Sequence, residues 1–178
     1  MSLPQLRFAM PVAGLEPITL AEANLLMVRW GHNLGPCERP FGSDCWALMV
    51  DGEPVSVVIG TSTVSDHVLS DDGTIDLPRG VLVECARLCS DPANKWATRP
   101  MLRLWRECAA RRWPYWTAKA LVAYSLSARH DGDIYRWDGW KCIGQERGGG
   151  RGGGTWTKVR DADAPVVGTK RLWLWEYR

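Results

Sequence analysis

Apolar residues recur along this chain at two spacings, and the switches between them mark out the elements. Leu20, Ala23, Met27 and Trp30 follow helical spacing. Thr19 and Glu22 form a capping box ahead of them, with Pro17 just upstream, so a helix is expected from about residue 19 to Gly31. A loop then runs through His32-Asn33-Leu34-Gly35-Pro36 to about Asp44. Trp46 to Val50 and Val55 to Ile59 read as two strands joined by the turn signal Asp51-Gly52. Residues 61–80 hold few core formers, and Asp66, Asp71, Asp72 and Asp76 with Gly73 predict a solvated excursion. Val81 to Cys89 is a third strand.

Beyond a connection over 90–99, Pro100 suits a first helical turn. Met101, Leu104, Trp105 and Cys108 are expected on the buried side of that helix, with Arg103, Arg106 and Arg111 near the solvated side, and Pro114 ends it. Leu121 to Leu126 is a fourth strand, Asp133 to Asp138 a short helix, and Trp140 to Ile143 the start of another strand. Arg147 to Gly154, reading RGGGRGGG, predicts a flexible loop, and Thr155 to Val159 a further strand. In the last strand Trp173, Trp175 and Tyr177 share one face and Leu172 and Leu174 the other. The order predicts a mixed α/β (α+β) domain spanning residues 1–178, with a largely antiparallel sheet flanked by helices. The unit over 81–126 is expected to be parallel and right-handed.

Composition changes this picture little. The 178 residues suffice for one full core, and the net charge of +2 is too small to identify a nucleic-acid binder. The six cysteines form no C-x-x-C pair, which points to reduced thiols in a cytoplasm. The N-terminus lacks the apolar core of a secretory signal, and no run is long enough to span a membrane. Eleven tryptophans are many for this length. Most fit the core, whereas Trp156, among Arg147, Arg151, Lys158 and Arg160, could stack on a base or a flat ligand, which from the residues alone a simple flexible loop explains better. Arg103, Arg106, Arg111 and Arg112 along the helix are a second basic group, which an ordinary solvated face explains equally well.

Ile134-Tyr135 followed by Gly139-Trp140 resembles the late tyrosine element of the GNAT acyltransferase superfamily. The run from His130 to Tyr135 and the strand pattern Glu84-Cys85-Ala86-Arg87-Leu88 are similar to Mom-type phage DNA-modification proteins. So are Asp91-Pro92 with Asn94, and the ending Gly153-Gly154-Thr155-Trp156 with Pro165, Lys170 and Trp173. The resemblance covers roughly residues 19–178. It implies a GNAT-like fold, an acetyl-coenzyme A or related acyl donor, and transfer to an amine of a DNA base by a phage-encoded protein in a bacterial cytoplasm. An N-acetyltransferase for a small-molecule or protein amine is the first alternative, and a non-catalytic GNAT-like binding protein the second.

Tyr135 is then the candidate acid for the leaving thiolate, or else a core tyrosine. Glu84, a carboxylate in an apolar strand, is either a base or structurally paired. A pairing with Arg87, three residues on, requires a bulge. His32 and His130 are candidate bases, and with Glu84 candidate metal ligands. Ser125 stands where Mom-type relatives tend to carry an aspartate. The donor loop corresponds to Asn94, Lys95, Thr98 and Arg99. It departs from the family in having no glycine and in carrying Pro100.

Overall fold

The computed structural model describes residues 12–39, 42–126, 130–147 and 169–177. Its centre is a seven-stranded sheet. Strand β1 (Ala13–Ile18) leads into helix α1 (Leu20–Arg29), followed by β2 (Ser43–Val50) and β3 (Glu53–Thr61). A small hairpin, β4 (His67–Leu69) and β5 (Asp76–Pro78), precedes β6 (Leu82–Ser90). Helix α2 (Thr98–Leu104) connects β6 to β7 (Ala120–Leu126), and α3 (Asp133–Trp137) leads to β8 (Lys141–Arg147) and β9 (Thr169–Glu176). The strand order is β1-β2-β3-β6-β7-β9-β8, so β9 inserts between β7 and β8. All neighbours are antiparallel except β6 and β7, the parallel pair expected from the sequence.

The local signals act as their chemistry dictates. Thr19 Oγ1 accepts the Glu22 amide at 3.2 Å while the Glu22 carboxylate accepts the Thr19 amide at 2.8 Å, closing the capping box. Asp51 and Gly52 both have positive φ, as a tight hairpin turn with the twist of its strands requires. The tryptophans of β9 divide as expected, with Trp173, Trp175 and Tyr177 in one core and Leu172 and Leu174 in another.

That division defines two faces. On one, α2 and α3 pack through Met101, Leu102, Trp105 and Tyr135 onto Val83, Cys85, Leu121 and Trp173. On the other, α1 covers only half of the sheet, with Ala23 and Met27 against Val57 and Ile59. The remaining half needs another cover, and the segment over 61–80 supplies it. Val68, Ile75 and Leu77 of the small hairpin lie on Leu82, Val122 and Leu172. This corrects the expected solvated excursion: three apolar residues at strand spacing suffice to dock it. The Asp71 carboxylate accepts the Gln145 amide at 2.9 Å and holds the hairpin against β8.

Strand β1 carries no local signal along the chain. Glu16 and Pro17 break its apolar run, and both are tolerated because the strand lies at the sheet edge. The helix after β6 also differs. Residues Pro92–Ala97 form two short 3-10 turns kinked at Asn94 ahead of α2, and Trp105–Ala109 form a π-turn beyond it. Leu102, Arg106 and Ala109 lie inside and Leu104 and Cys108 outside, so the buried face is rotated from the one expected. All six cysteines are free thiols. No helix among the described residues is long and apolar enough to cross a membrane.

Candidate functional site

β6 and β7 pair over only four rungs, Leu82–Ala120 to Cys85–Ala123. Past Cys85 and Ala123 both strands continue but no longer pair, so the sheet parts there. Glu84 stands at that parting. Leu82, two residues before it, packs under the hairpin, and Ala86, two residues after it, packs under α1. Glu84 therefore falls on the seam between the two covers of one face. It is 4% exposed, and Arg39 Nη2 donates to its Oε1 at 2.7 Å. Arg39 lies in the loop before β2, and nothing in its sequence context marks it as the partner of a carboxylate 45 residues away.

The bulge that a shared Glu84–Arg87 face requires is present. Ile59 lies opposite Arg87 and Gly60 opposite Cys85, which leaves Ala86 as the extra residue. Arg87 consequently turns to the same side as Glu84, and both act electrostatically on the thiol of Cys37. Arg87 Nε donates to Gly35 O at 3.2 Å and straps the loop after α1 onto β6. His32 in that loop has its pKa lowered to about 4, first by burial, then by the charge of Arg87 and by His130. It is neutral at physiological pH. Its Nδ1 accepts the Leu34 amide at 3.3 Å, which consumes the lone pair of the neutral ring and leaves Nε2–H as a donor. His130 lies at the surface, close enough to His32 to influence it. Among the described residues no three His, Cys, Asp or Glu side chains gather to hold a metal ion. The convergence of His32, Glu84 and His130 on a metal is not formed.

Tyr135 projects from α3 on the opposite face of the parted strands. It is 6% exposed, with its ring between Trp140 at 5.4 Å and Trp173 at 5.9 Å. Its hydroxyl has no hydrogen-bond partner among the described residues. It is also not one of the sealed orphan atoms of the interior, which are Thr61 Oγ1, Trp105 Nε1 and Trp113 Nε1. Burial raises its pKa well above 10, with smaller contributions from Cys85 and Glu84. The hydroxyl therefore stays protonated and is available as a donor, to a developing charge or to a leaving thiolate. Ser125 is fully buried and accepts the indole N–H of Trp173 at 2.8 Å.

The polar side chains of the donor-loop residues are largely engaged by neighbouring groups of the protein. Thr98 Oγ1 bonds Ser90 Oγ at 2.7 Å, and Asn94 Oδ1 accepts the Trp96 indole N–H at 3.1 Å. The 3-10 winding also uses amides that an open loop leaves free, including Asn94 N to Asp91 O at 2.8 Å. Lys95 and Arg99 remain exposed, and Arg99 Nη2 donates to Trp137 O at 3.0 Å. What this segment offers a phosphate is side-chain charge more than a backbone cradle.

The basic residues divide differently from expectation. Arg106 is not on the solvated side of its helix. It is buried, with Nε 2.9 Å from Asp138 Oδ2 and its guanidinium 3.7 Å from the centre of the Trp175 ring. Arg111 lies 4.5 Å above Tyr177. Arg151, Trp156 and Lys158 lie outside the described residues, as do the side chain of Arg147 and the expected strand at 155–159.

This order of strands, parted at one parallel pair with helices on both sides, is the fold of the GNAT acetyltransferases. NAA60 from Arabidopsis thaliana, solved with a bisubstrate analogue, superposes with a TM-score of 0.61 at 10% identity, covering 94% of this chain and 100% of that one. The Escherichia coli ribosomal-protein-S18-alanine N-acetyltransferase gives 0.60 at 8% identity over 93% of this chain and 94% of its own. A GNAT family acetyltransferase from Elizabethkingia anophelis with acetyl-CoA bound gives 0.53 at 10% identity, covering 93% and 98%. No family model matches the chain, and no curated protein matches its sequence.

Proposed function

We propose that the protein is an acyl-type transferase that moves an acyl group from a coenzyme A thioester to an amine nitrogen. The observation that carries this reading is the parting of β6 and β7, with Glu84 on one face of the opening and, on the other, the Tyr135 hydroxyl, which has no partner among the described residues. A thioester donor supplies an activated acyl carbon. Glu84, held by Arg39, accepts the amine proton, directly or through water. Tyr135 donates a hydrogen bond to the developing charge on the oxygen or the departing sulfur. Lys95 and Arg99 supply positive charge for the donor's phosphates. The neutral His32, with its Nε2–H free to donate, orients the acceptor.

The acceptor class is the open part of this proposal. An amine of a DNA base draws support from the Mom-type resemblance and from the basic residues of 147–158. A small-molecule or protein amine satisfies the same cleft. The test is release of free coenzyme A thiol from acetyl-coenzyme A, followed against three acceptors: simple amines, a peptide with a free N-terminus, and a DNA oligonucleotide. Mass spectrometry of the product identifies the modified nitrogen. Tyr135→Phe is expected to lower the rate about 100-fold or more, by analogy with loss of one oxyanion donor. Absence of thiol release with every acceptor, together with no calorimetric binding of acetyl-coenzyme A, overturns the proposal.

A further inference from the structure

The slot around Tyr135 has two tryptophan walls, and each wall is tied down by its indole N–H. Trp140 Nε1 donates to Asp138 Oδ2 at 3.0 Å, and Trp173 Nε1 donates to Ser125 Oγ at 2.8 Å. Both acceptors are deeply buried. Asp138 is further fixed by Arg106, whose Nε lies 2.9 Å from the same oxygen, and by Arg103, 3.3 Å from the other. Arg106 is in turn clamped by the Trp175 ring and gives its carbonyl to the Tyr177 hydroxyl at 2.6 Å. A buried ion pair of this kind adds little net stability over an apolar core, so its presence beside Tyr135 asks for another reason. The centre of the slot meanwhile keeps a hydroxyl with no partner among the described residues.

We propose that Asp138 and Ser125 are positioning residues that set the angle at which Tyr135 presents its hydroxyl, each acting through one tryptophan. Asp138 works through Trp140 and Ser125 through Trp173. A phenol held at 5.4 and 5.9 Å between two anchored rings cannot swing without breaking an indole hydrogen bond. The hydroxyl is therefore aimed before any ligand arrives, which is what a donor to a transient charge requires. The inference rests on reading Tyr135 as the donor of the transfer site. It also assigns Ser125, a candidate for direct chemistry from its position in the sequence, to a supporting role.

The test uses the full chain labelled with carbon-13 at the tyrosine Cζ, which gives four signals, the Tyr135 signal being assigned by its loss in Tyr135→Phe. Trp140→Phe removes one indole N–H and leaves the Asp138–Arg106 pair intact. Ser125→Ala removes the acceptor of the other. Each is expected to move the Tyr135 signal while that of Tyr115, over half exposed, stays in place. Asp138→Asn, which also loosens Arg106 and Arg103, is expected to move it as well. In the thiol-release assay, Trp140→Phe and Ser125→Ala are each expected to lower kcat about tenfold with KM for the donor within about twofold. If both variants fold and leave the Tyr135 signal where it was, the proposal is overturned. The resonance measurement needs no turnover, so it decides the positioning claim even if no acceptor is ever acylated.

Discussion

Replacing Gly132 with alanine separates two costs that usually arrive together. Gly132 precedes α3 with φ of 77°, and a Cβ there would lie 2.5 Å from Cζ2 of Trp173. The left-handed backbone alone costs a non-glycine residue about 1–2 kcal/mol. The contact adds about 1–3 kcal/mol, the usual cost of overpacking, because the indole cannot retreat. It is 2% exposed and tied to Ser125. Gly132→Ala is therefore expected to cost about 2–5 kcal/mol. Gly73 is the built-in control: its φ is 69°, yet nothing lies within 4 Å of its added Cβ. Gly73→Ala should cost only the backbone part, about 1–2 kcal/mol. Urea denaturation reads both, as shifts of midpoint at unchanged slope. A third variant, Trp173→Leu, removes the obstructing ring. Its combination with Gly132→Ala should be less costly than the sum of the two singles by about 1 kcal/mol or more. Equal costs for the two alanine variants, or strict additivity of the pair, would refute the claim that Gly132 is required by the Trp173 wall.

Other outcomes follow from single contacts. His32 has a folded pKa of about 4, below its unfolded value near 6.5, so the unfolded chain binds the extra proton first. Its contribution to stability is complete above about pH 6.5 and is lost as the pH falls towards 4. Thermal melts at several pH values should show His32→Asn to be less acid-sensitive than the wild type, and parallel curves would sink this reading. Thr19→Ala should cost about 1 kcal/mol through loss of the capping box, measured by urea denaturation. Asp71→Ala removes the acceptor of the Gln145 amide and should speed hydrogen exchange at that amide, leaving exchange in α1 unchanged.

What the sequence made legible is what short-range chemistry decides. The capping box, the Asp51-Gly52 hairpin and the alternation of β9 each depend on neighbours within a few residues, and each stands in the structure as expected. Glu84, Tyr135 and Ser125 stand out as candidates through their place in a motif, yet their partners do not. Arg39 reaches Glu84 across 45 positions, and Trp173 reaches Ser125 across 48. No local pattern carries such pairings. The small hairpin was missed for a related reason. Its few apolar residues look insufficient until one sees that α1 leaves half a sheet face uncovered.

Arg106 shows the same limit at its sharpest. Grouped with Arg103 and Arg111 as a solvated stripe, it invites a reading of phosphate contacts. Arg106 instead follows Leu102 by one helical turn, on the face that the structure buries. Its charge is then answered by Asp138, the residue that closes the tyrosine element. Two features that looked separate along the chain, a basic helix and a tyrosine motif, are thus two ends of one buried ion pair. That pair, together with Arg103, ties the helical segment over residues 98–109 to the helix that carries Tyr135. The arginines available to an anionic partner on this helix are correspondingly fewer than a count along the sequence implies.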